Sequence, residues 1–240
     1  MSKPDSAKLR TPDSTSGMRR MFPCSRDFHR GSTGRRVPVV TVRDSAWVGV
    51  DVCADGGGCS AAIRTVRLAL VPMSSQLVRA VLQKEWTVAR HLLGTPFPLE
   101  WRDDGWQWLE WQASRGESDE RFIVWGTRLA FPVTVDVGAD SGPVVAEVGF
   151  HGPPDSEGWV EIGYRVVAEY RRRGLAEEAT AALLAWAVAH GVTGVRASVS
   201  PDNAASIGLL GKLGFTAAGS HRHPILGEQL GFRRITGAPS

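Results

Sequence analysis

Arg171-Arg172-Arg173-Gly174-Leu175-Ala176 combines residue types suited to gripping a phosphate ester. The stretch follows a strand-like run, Trp159 to Val167, and opens a helix-like run, Leu175 to His190. The first N–H groups of a helix have no intrahelical partner, and the helix dipole favours negative charge there. Glycine lets a ligand approach the backbone, and guanidinium groups add charge-assisted donors. The turn contains neither G-x-x-x-x-G-K-[ST] nor G-x-G-x-x-G, so nucleotide hydrolysis and dinucleotide binding lose support. What remains is [QR]-x-x-G-x-[GA], filled by Arg171, Gly174 and Ala176. Alone, that pattern fits an ordinary basic turn before a helix equally well.

Further pieces follow in order. They are E-I-G-Y (Glu161 to Tyr164), the R-x-x-G-x-A turn, W-A (Trp186-Ala187), P-D-N-x-A-S (Pro201 to Ser206) and K-L-G-F (Lys212 to Phe215). Together they resemble the GNAT superfamily of N-acetyltransferases, and more narrowly its ribosomal-protein N-terminal (alanine/serine) acetyltransferase branch. The resemblance covers about Ile63 to Ile235. It implies an α+β fold (an α/β sandwich): a mixed, mostly antiparallel sheet with splayed central parallel strands, flanked by helices. It implies acetyl-coenzyme A (acetyl-CoA) as co-substrate, no metal, and direct attack of a primary amine in a ternary complex. The acceptor expected from that branch is a protein N-terminus. Small amines (aminoglycosides, polyamines, amino acids) are the alternative acceptors. A non-catalytic acyl-CoA sensor is the alternative function.

The resemblance also implies roles. Arg171, Arg172, Arg173, Gly174, Leu175 and Ala176 hold the diphosphate. The backbone of Val166 and Val167 pairs with the pantetheine arm like an added strand. Asn203 bonds the pantetheine region, or caps the helix that it precedes. A backbone N–H of Val166 or a neighbour is the expected oxyanion donor. Only a neutral amine attacks. An α-amino group of pKa ~8 is about a tenth neutral at pH 7, and a lysine near 10.4 far less. Glu161 is the first candidate base and Glu147 the second; both read equally well as solvent-facing strand carboxylates. Ser198 stands where some relatives carry a catalytic Glu, and Leu210 where many carry a Tyr that protonates the departing thiolate. Ser206 is the substitute donor, competing with a plain first-turn helix serine. Tyr164 is expected at the acceptor pocket, or in the core with its hydroxyl satisfied. Trp101, Trp106, Trp108 and Trp111 fall where this superfamily shapes its acceptor site. Asp103, Asp104 and Glu110 keep a cationic small acceptor open.

Composition bounds the rest. A hydrophobic content of 42% over 240 residues is enough for a core. The longest apolar run, Ala181 to Ala189, is far short of a membrane span, and the N-terminus has no apolar signal-peptide core. No membrane association and a cytoplasmic location are the expectations. Cys24, Cys53 and Cys59 contain no C-x-x-C pair, which argues against zinc or a disulfide framework. The net charge of +3 conceals +7 over residues 1–43 and −4 over the rest. Residues 1–62 read as a basic, disordered N-terminal extension, 63–236 as the GNAT acetyltransferase domain and 237–240 as a tail. The basic arm suits weak nucleic-acid or ribosome contact, or is a solvated tail. The protein is expected as a monomer or homodimer.

These residues need elements to position them. Thr65 to Val71 reads as a strand. One helix from Ser74 or Ser75 extends through Val88, and Asp103 to Gln112 forms a second. Arg121 to Val135, Pro143 to Phe150 and Trp159 to Val167 read as strands. A helix from Leu175 stops at Gly191, Val192 to Val199 is a strand, and Asn203 to Leu213 is a short helix. Phe215 to Ser220 and Glu228 to Ile235 are the final strands. The expected order is β-α-α-β-β-β-α-β-α-β-β.

Overall fold

The computed structural model describes residues 62–102, 106–116, 119–133 and 142–236. The three cysteines, Asp103, Asp104, nearly all of the expected N-terminal extension and the 237–240 tail lie outside the described residues.

The chain begins with β1 (Ile63–Arg64) and β2 (Leu68–Pro72). Thr65 turns the chain between them by accepting the Leu68 N–H on its hydroxyl at 2.8 Å. Helix α1 (Ser75–Leu82) starts where Ser74 Oγ accepts the Leu77 N–H. It is followed by α2 (Trp86–Leu93), which Gly94 ends at φ +70°. After a 3₁₀ turn at Leu99–Trp101 come α3 (Gln107–Gly116) and α4 (Arg121–Trp125). Strands β3 (Arg128–Pro132), β4 (Ala146–Phe150) and β5 (Trp159–Val166) form the centre of the sheet. Then α5 (Leu175–Ala189), β6 (Gly194–Val199), α6 (Ala204–Lys212), β7 (Thr216–His223) and β8 (Gly227–Ile235) complete the described chain.

The eight strands form one sheet in the order β1-β2-β3-β4-β5-β6-β8-β7. Only β5 and β6 are parallel; the other neighbouring pairs are antiparallel. The expected mixed sheet with central parallel strands is therefore the observed one. Strand side chains alternate between faces, so each face buries its own core. Val148, Phe150, Ile162 and Val195 pack with Leu183 and Leu184 of α5. On the other face Leu129 and Phe131 pack with Leu77 and Val81 of α1 and with Phe97 and Trp101.

Three expectations are corrected. The helix over 75–88 is two helices. Lys84 takes φ +57°, and the re-aimed chain lays Trp86 flat on Phe97, centroids 5.6 Å apart. Arg121 to Trp125 is helical, although its apolar, β-branched run reads as strand. Asp119 Oδ1 accepts the Arg121 N–H at 3.0 Å, and Trp125 is buried edge-on to Trp186 with centroids at 4.7 Å. Tertiary packing overrides the local preference there. The first strand is preceded by a two-residue partner, β1, which pairs with Ala69 and Leu70.

Gly149 in β4 marks a close approach. A Cβ there would lie 2.6 Å from Thr127 Cα and 2.9 Å from the Gly126 carbonyl, both backbone. Gly149→Ala should therefore destabilise the protein by about 1–3 kcal/mol. A urea unfolding curve with an unshifted midpoint would show that the 126–127 backbone is not held there.

Candidate functional site

β5 and β6 pair only at Trp159↔Gly194, Val160↔Val195 and Glu161↔Arg196. Beyond that point each follows a different partner. β5 stays on β4 through Val166↔Ala146, and β6 stays on β8 through Val199↔Leu230. The sheet therefore opens as a fork at Glu161. Strand alternation decides which backbone groups face the opening. Glu161 accepts the His151 N–H at 2.9 Å and Val167 gives its N–H to Val145 at 3.0 Å, so these point toward β4. The alternate residues Ile162, Tyr164 and Val166 turn their backbone groups to the gap. Of the two valines expected along pantetheine, Val166 faces the opening and Val167 does not. The Val166 carbonyl already accepts from Arg171 Nε at 3.0 Å.

A cavity of about 290 Å³ occupies the fork. It passes through the sheet, because residues from both faces line it. Tyr164, Asn203 and Ser206 lie on the α5–α6 side; His151, Gly163 and Arg165 lie on the opposite side. The Tyr164 hydroxyl donates to the Ser206 carbonyl at 3.4 Å, bridging β5 and α6. Burial pushes the Tyr164 phenol pKa up, more than the Ser206 contact lowers it, so the hydroxyl remains a donor. Asn203 Oδ1 caps α6 by accepting the Ser206 N–H at 3.0 Å.

The basic turn sits at one end of the fork. Gly174 is the N-cap of α5 with φ +74°, and no side chain caps that helix. Arg171, Arg172 and Arg173 are all exposed there. Arg172 also takes a positive φ, +61°, and Arg173 Nη2 donates to the Glu169 carbonyl at 2.8 Å. Arg67, not singled out by the sequence, ties the turn down. Its Nε meets Glu178 Oε2 at 2.5 Å and its Nη1 donates to the Arg173 carbonyl at 2.8 Å.

Carboxylates and aromatics gather on the other face. Glu161 accepts from Ser198 Oγ at 2.8 Å and faces His151 Nδ1 at 3.8 Å. The His151 imidazole holds the Glu161 carboxyl down at about 2 against the opposing effect of burial, helped by Ser198 and by the charge of His221. Glu147, the second candidate, is buried and faces Arg165 Nε at 3.3 Å. The Arg165 guanidinium lies 3.8 Å from the Trp106 ring centre and 4.4 Å from that of Trp101. Trp108 lies nearly parallel to His151, centroids 6.4 Å apart. Trp111 instead packs edge-on to Phe122. His151 and Arg165 were not singled out by sequence reasoning. The available signal was period-two alternation, which puts Glu147, Gly149 and His151 on one face of β4.

Among the described residues no three His, Cys, Asp or Glu side chains gather as a metal-ligand group, and no helix is long and apolar enough to cross a membrane.

Residues 67–216 match the family model described as acetyltransferase (GNAT) domain. An uncharacterized N-acetyltransferase of Bacillus subtilis (strain 168) is 36% identical over 91 residues, which are 38% of this chain and 54% of that protein. The match thus spans about half of that relative's length. The ribosomal-protein-S5-alanine acetyltransferase of Vibrio fischeri aligns with a TM-score of 0.50 and 15% identity, over 73% of this chain and 97% of that one. A GNAT-family acetyltransferase from Bacillus anthracis aligns with a TM-score of 0.46 and 17% identity, over 73% of this chain and 98% of that one. The Vibrio fischeri structure is similar to this chain in fold.

The fork predicts an unusually acidic glutamate. In a carboxyl ¹³C NMR titration Glu161 should remain ionised down to about pH 2. His151→Ala and Ser198→Ala should each move its inflection upward, His151→Ala by more. An inflection near the ordinary value of about 4.3 in the intact protein would mean that the contact with His151 is not made in solution.

Proposed function

The chain belongs to the acetyltransferase (GNAT) family, and from that premise we propose that it transfers an acetyl group from acetyl-CoA to a primary amine, by direct attack within a ternary complex. The observation that carries this reading is a fork in the sheet with an uncapped, glycine-started helix at one end. Uncapped N–H groups on α5, a glycine at φ +74° and three exposed arginines make a fitting seat for a diphosphate. A Cβ on Gly174 would meet only the flexible Arg67 Nη2, at 3.4 Å, so the approach to the backbone is open. Leu175 and Ala176 would contribute N–H groups from the first turn. The N–H of Val166 and the groups of Tyr164 are turned to the gap, where an extended pantetheine would pair as an added strand. Asn203 has its carboxamide oxygen committed to the cap, leaving its NH₂ as the donor to a ligand.

Acetyl-CoA supplies the acyl thioester. The residues of the chain bind, orient and move protons. Glu161, ionised at the fork, attracts the acceptor ammonium and helps it lose its proton. A backbone N–H facing the gap, Tyr164 or Val166, polarises the carbonyl. Ser206 stands on the α6 side as donor to the departing sulfur, beside the Tyr164 phenol, whose hydroxyl donates to the Ser206 carbonyl. A thiolate of pKa near 8.5 is a fair leaving group with modest help.

A protein α-amino terminus is the acceptor we favour. At pKa ~8 it presents about a tenth of its molecules as free amine at pH 7, where a lysine side chain presents far fewer. The catalytic unit is assigned to residues 63–236, acting in the cytoplasm.

Thiol release and mass spectrometry with acetyl-CoA and a panel of peptides, polyamines and aminoglycosides test the activity. Acetylation of peptide α-amines is the expected outcome, and no product from any amine would refute the reading. The cofactor corner makes its own prediction. Arg171→Ala with Arg173→Ala should weaken acetyl-CoA binding by about 10- to 100-fold, as for one or two charge-assisted hydrogen bonds. Binding of acetyl-pantetheine, which lacks the diphosphate, should be unchanged. An equal loss for both ligands in calorimetry would remove the diphosphate from this corner.

A further inference from the structure

We infer that His151 is the catalytic base that takes the proton from the acceptor ammonium, with Glu161 as the positioning residue behind it. The inference rests on the transferase reading above and changes which atom does the work. His151 lines the cavity on the acceptor face, whereas Glu161 is engaged at the apex of the fork by Ser198 and by His151 itself. His151 Nδ1 is the nitrogen that faces Glu161 Oε2, at 3.8 Å. With the neutral ring's proton on Nδ1, toward that carboxylate, the lone pair would lie on Nε2. Nε2 lies over Gly163, where a Cβ would sit only 3.1 Å from it, and Gly163 is itself a cavity wall. The Trp108 ring lies nearly parallel to the imidazole, with centroids 6.4 Å apart.

The alternative, direct proton removal by Glu161, is chemically poor. A carboxyl held below the ordinary carboxylate range has little affinity for the proton of an ammonium of pKa ~8. The same low value suits a residue whose task is to remain charged beside an imidazolium. Other charged groups face the ring. Glu161 on β5 is in contact with it, and His221 on β7 acts on that carboxylate. Glu147 on β4 and Arg165 on β5 form an ion pair farther along the same wall, and α3 presents the Trp108 ring.

The step balances. Nε2 takes one N–H proton from the ammonium and later releases it to solvent, which both side chains reach at 37% and 39% exposure. The freed nitrogen lone pair forms the C–N bond as the C–S bond breaks, with its electron pair leaving on sulfur. A second N–H proton is lost as the amide forms and offsets the one taken up by the thiolate.

The experiment compares the full-length protein with His151→Ala, His151→Gln and Glu161→Gln, across pH, on a peptide α-amine accepted by the unaltered protein. His151→Gln should lower kcat roughly 10²-fold at pH 7. Its KM for acetyl-CoA should stay within about twofold, as expected when only a proton-transfer group is lost. The deficit should fall below about tenfold at pH 9.5, where the amine is already free. Added imidazole should restore His151→Ala in part. Glu161→Gln should lower kcat by less than His151→Gln does and keep the pH dependence of the unaltered protein, as expected of a residue that positions the base and does not itself take the proton. A pH-independent loss, a change confined to KM, or no response to imidazole would overturn the role of His151 while leaving the transferase reading intact. An inactive unaltered protein would overturn both.

Discussion

The divergence of β5 from β6 is the constraint on which the site depends. Three parallel pairs hold the two strands together up to Glu161 and Arg196, and none holds them after it. A backbone donor or acceptor left in a sheet without a partner is costly unless water or a ligand meets it. The fork stays open because each strand is committed elsewhere. β5 keeps five register partners on β4, ending at Val166, and β6 keeps six on β8, ending at Val199. The gap therefore separates two ladders that are each complete. It presents an unfilled strand edge inside the sheet, where an extended ligand can supply the missing hydrogen bonds.

Charge at the other end of the gap is arranged consistently with that reading. Helix α5 carries Glu177 and Glu178 in its first turn, which suits the helix dipole but opposes a bound anion. Glu178 is engaged by Arg67 and by the Thr65 hydroxyl, and Glu177 lies 3.5 Å from Lys212. The Arg67 side chain also reaches the Arg173 carbonyl, so the β1–β2 turn and the basic turn are fixed to each other. Both carboxylates are thus countered locally, while Glu100 lies 4.0 Å from Arg171 at the edge of the basic turn.

Much of this was legible in the chain and some was not, for physical reasons. The glycine at 174, the basic triplet and the Asn203 cap are local signals, and each lies where its spacing suggests. Period-two alternation in Glu161 to Arg165 also reads directly as one face of a strand. Pairing partners do not. That Glu147 stands opposite Arg165, and Gly149 opposite Gly163, depends on register between segments separated by a loop. His151 lies one residue beyond the strand expected to end at Phe150, yet its N–H continues the β4 ladder onto Glu161. One added rung carries the imidazole onto the face shared by Glu147 and Gly149. The helical run Arg121 to Trp125 is illegible for the opposite reason. Its residue types favour a strand, and only the seat for Trp125 between Phe150 and Trp186 makes a helix the better solution.

The acceptor face can also be read as a balance of charge. Arg165 is held among the indoles of Trp101, Trp106 and Trp108 and faces Glu147, so that pair contributes little net field. Glu161 is different. Its neighbour Ser198 is neutral, and His151 is uncharged whenever it is ready to accept a proton. His151, Ser198 and His221 together favour its ionised form, so the apex of the fork holds a carboxylate behind the imidazole. In the proposed mechanism such a charge would draw an ammonium toward the ring and stabilise the imidazolium once the proton has moved. Attraction and proton transfer then use the same negative charge. An ionised Glu161 is then a condition of the proposed mechanism, supplied by its neighbours His151, Ser198 and His221.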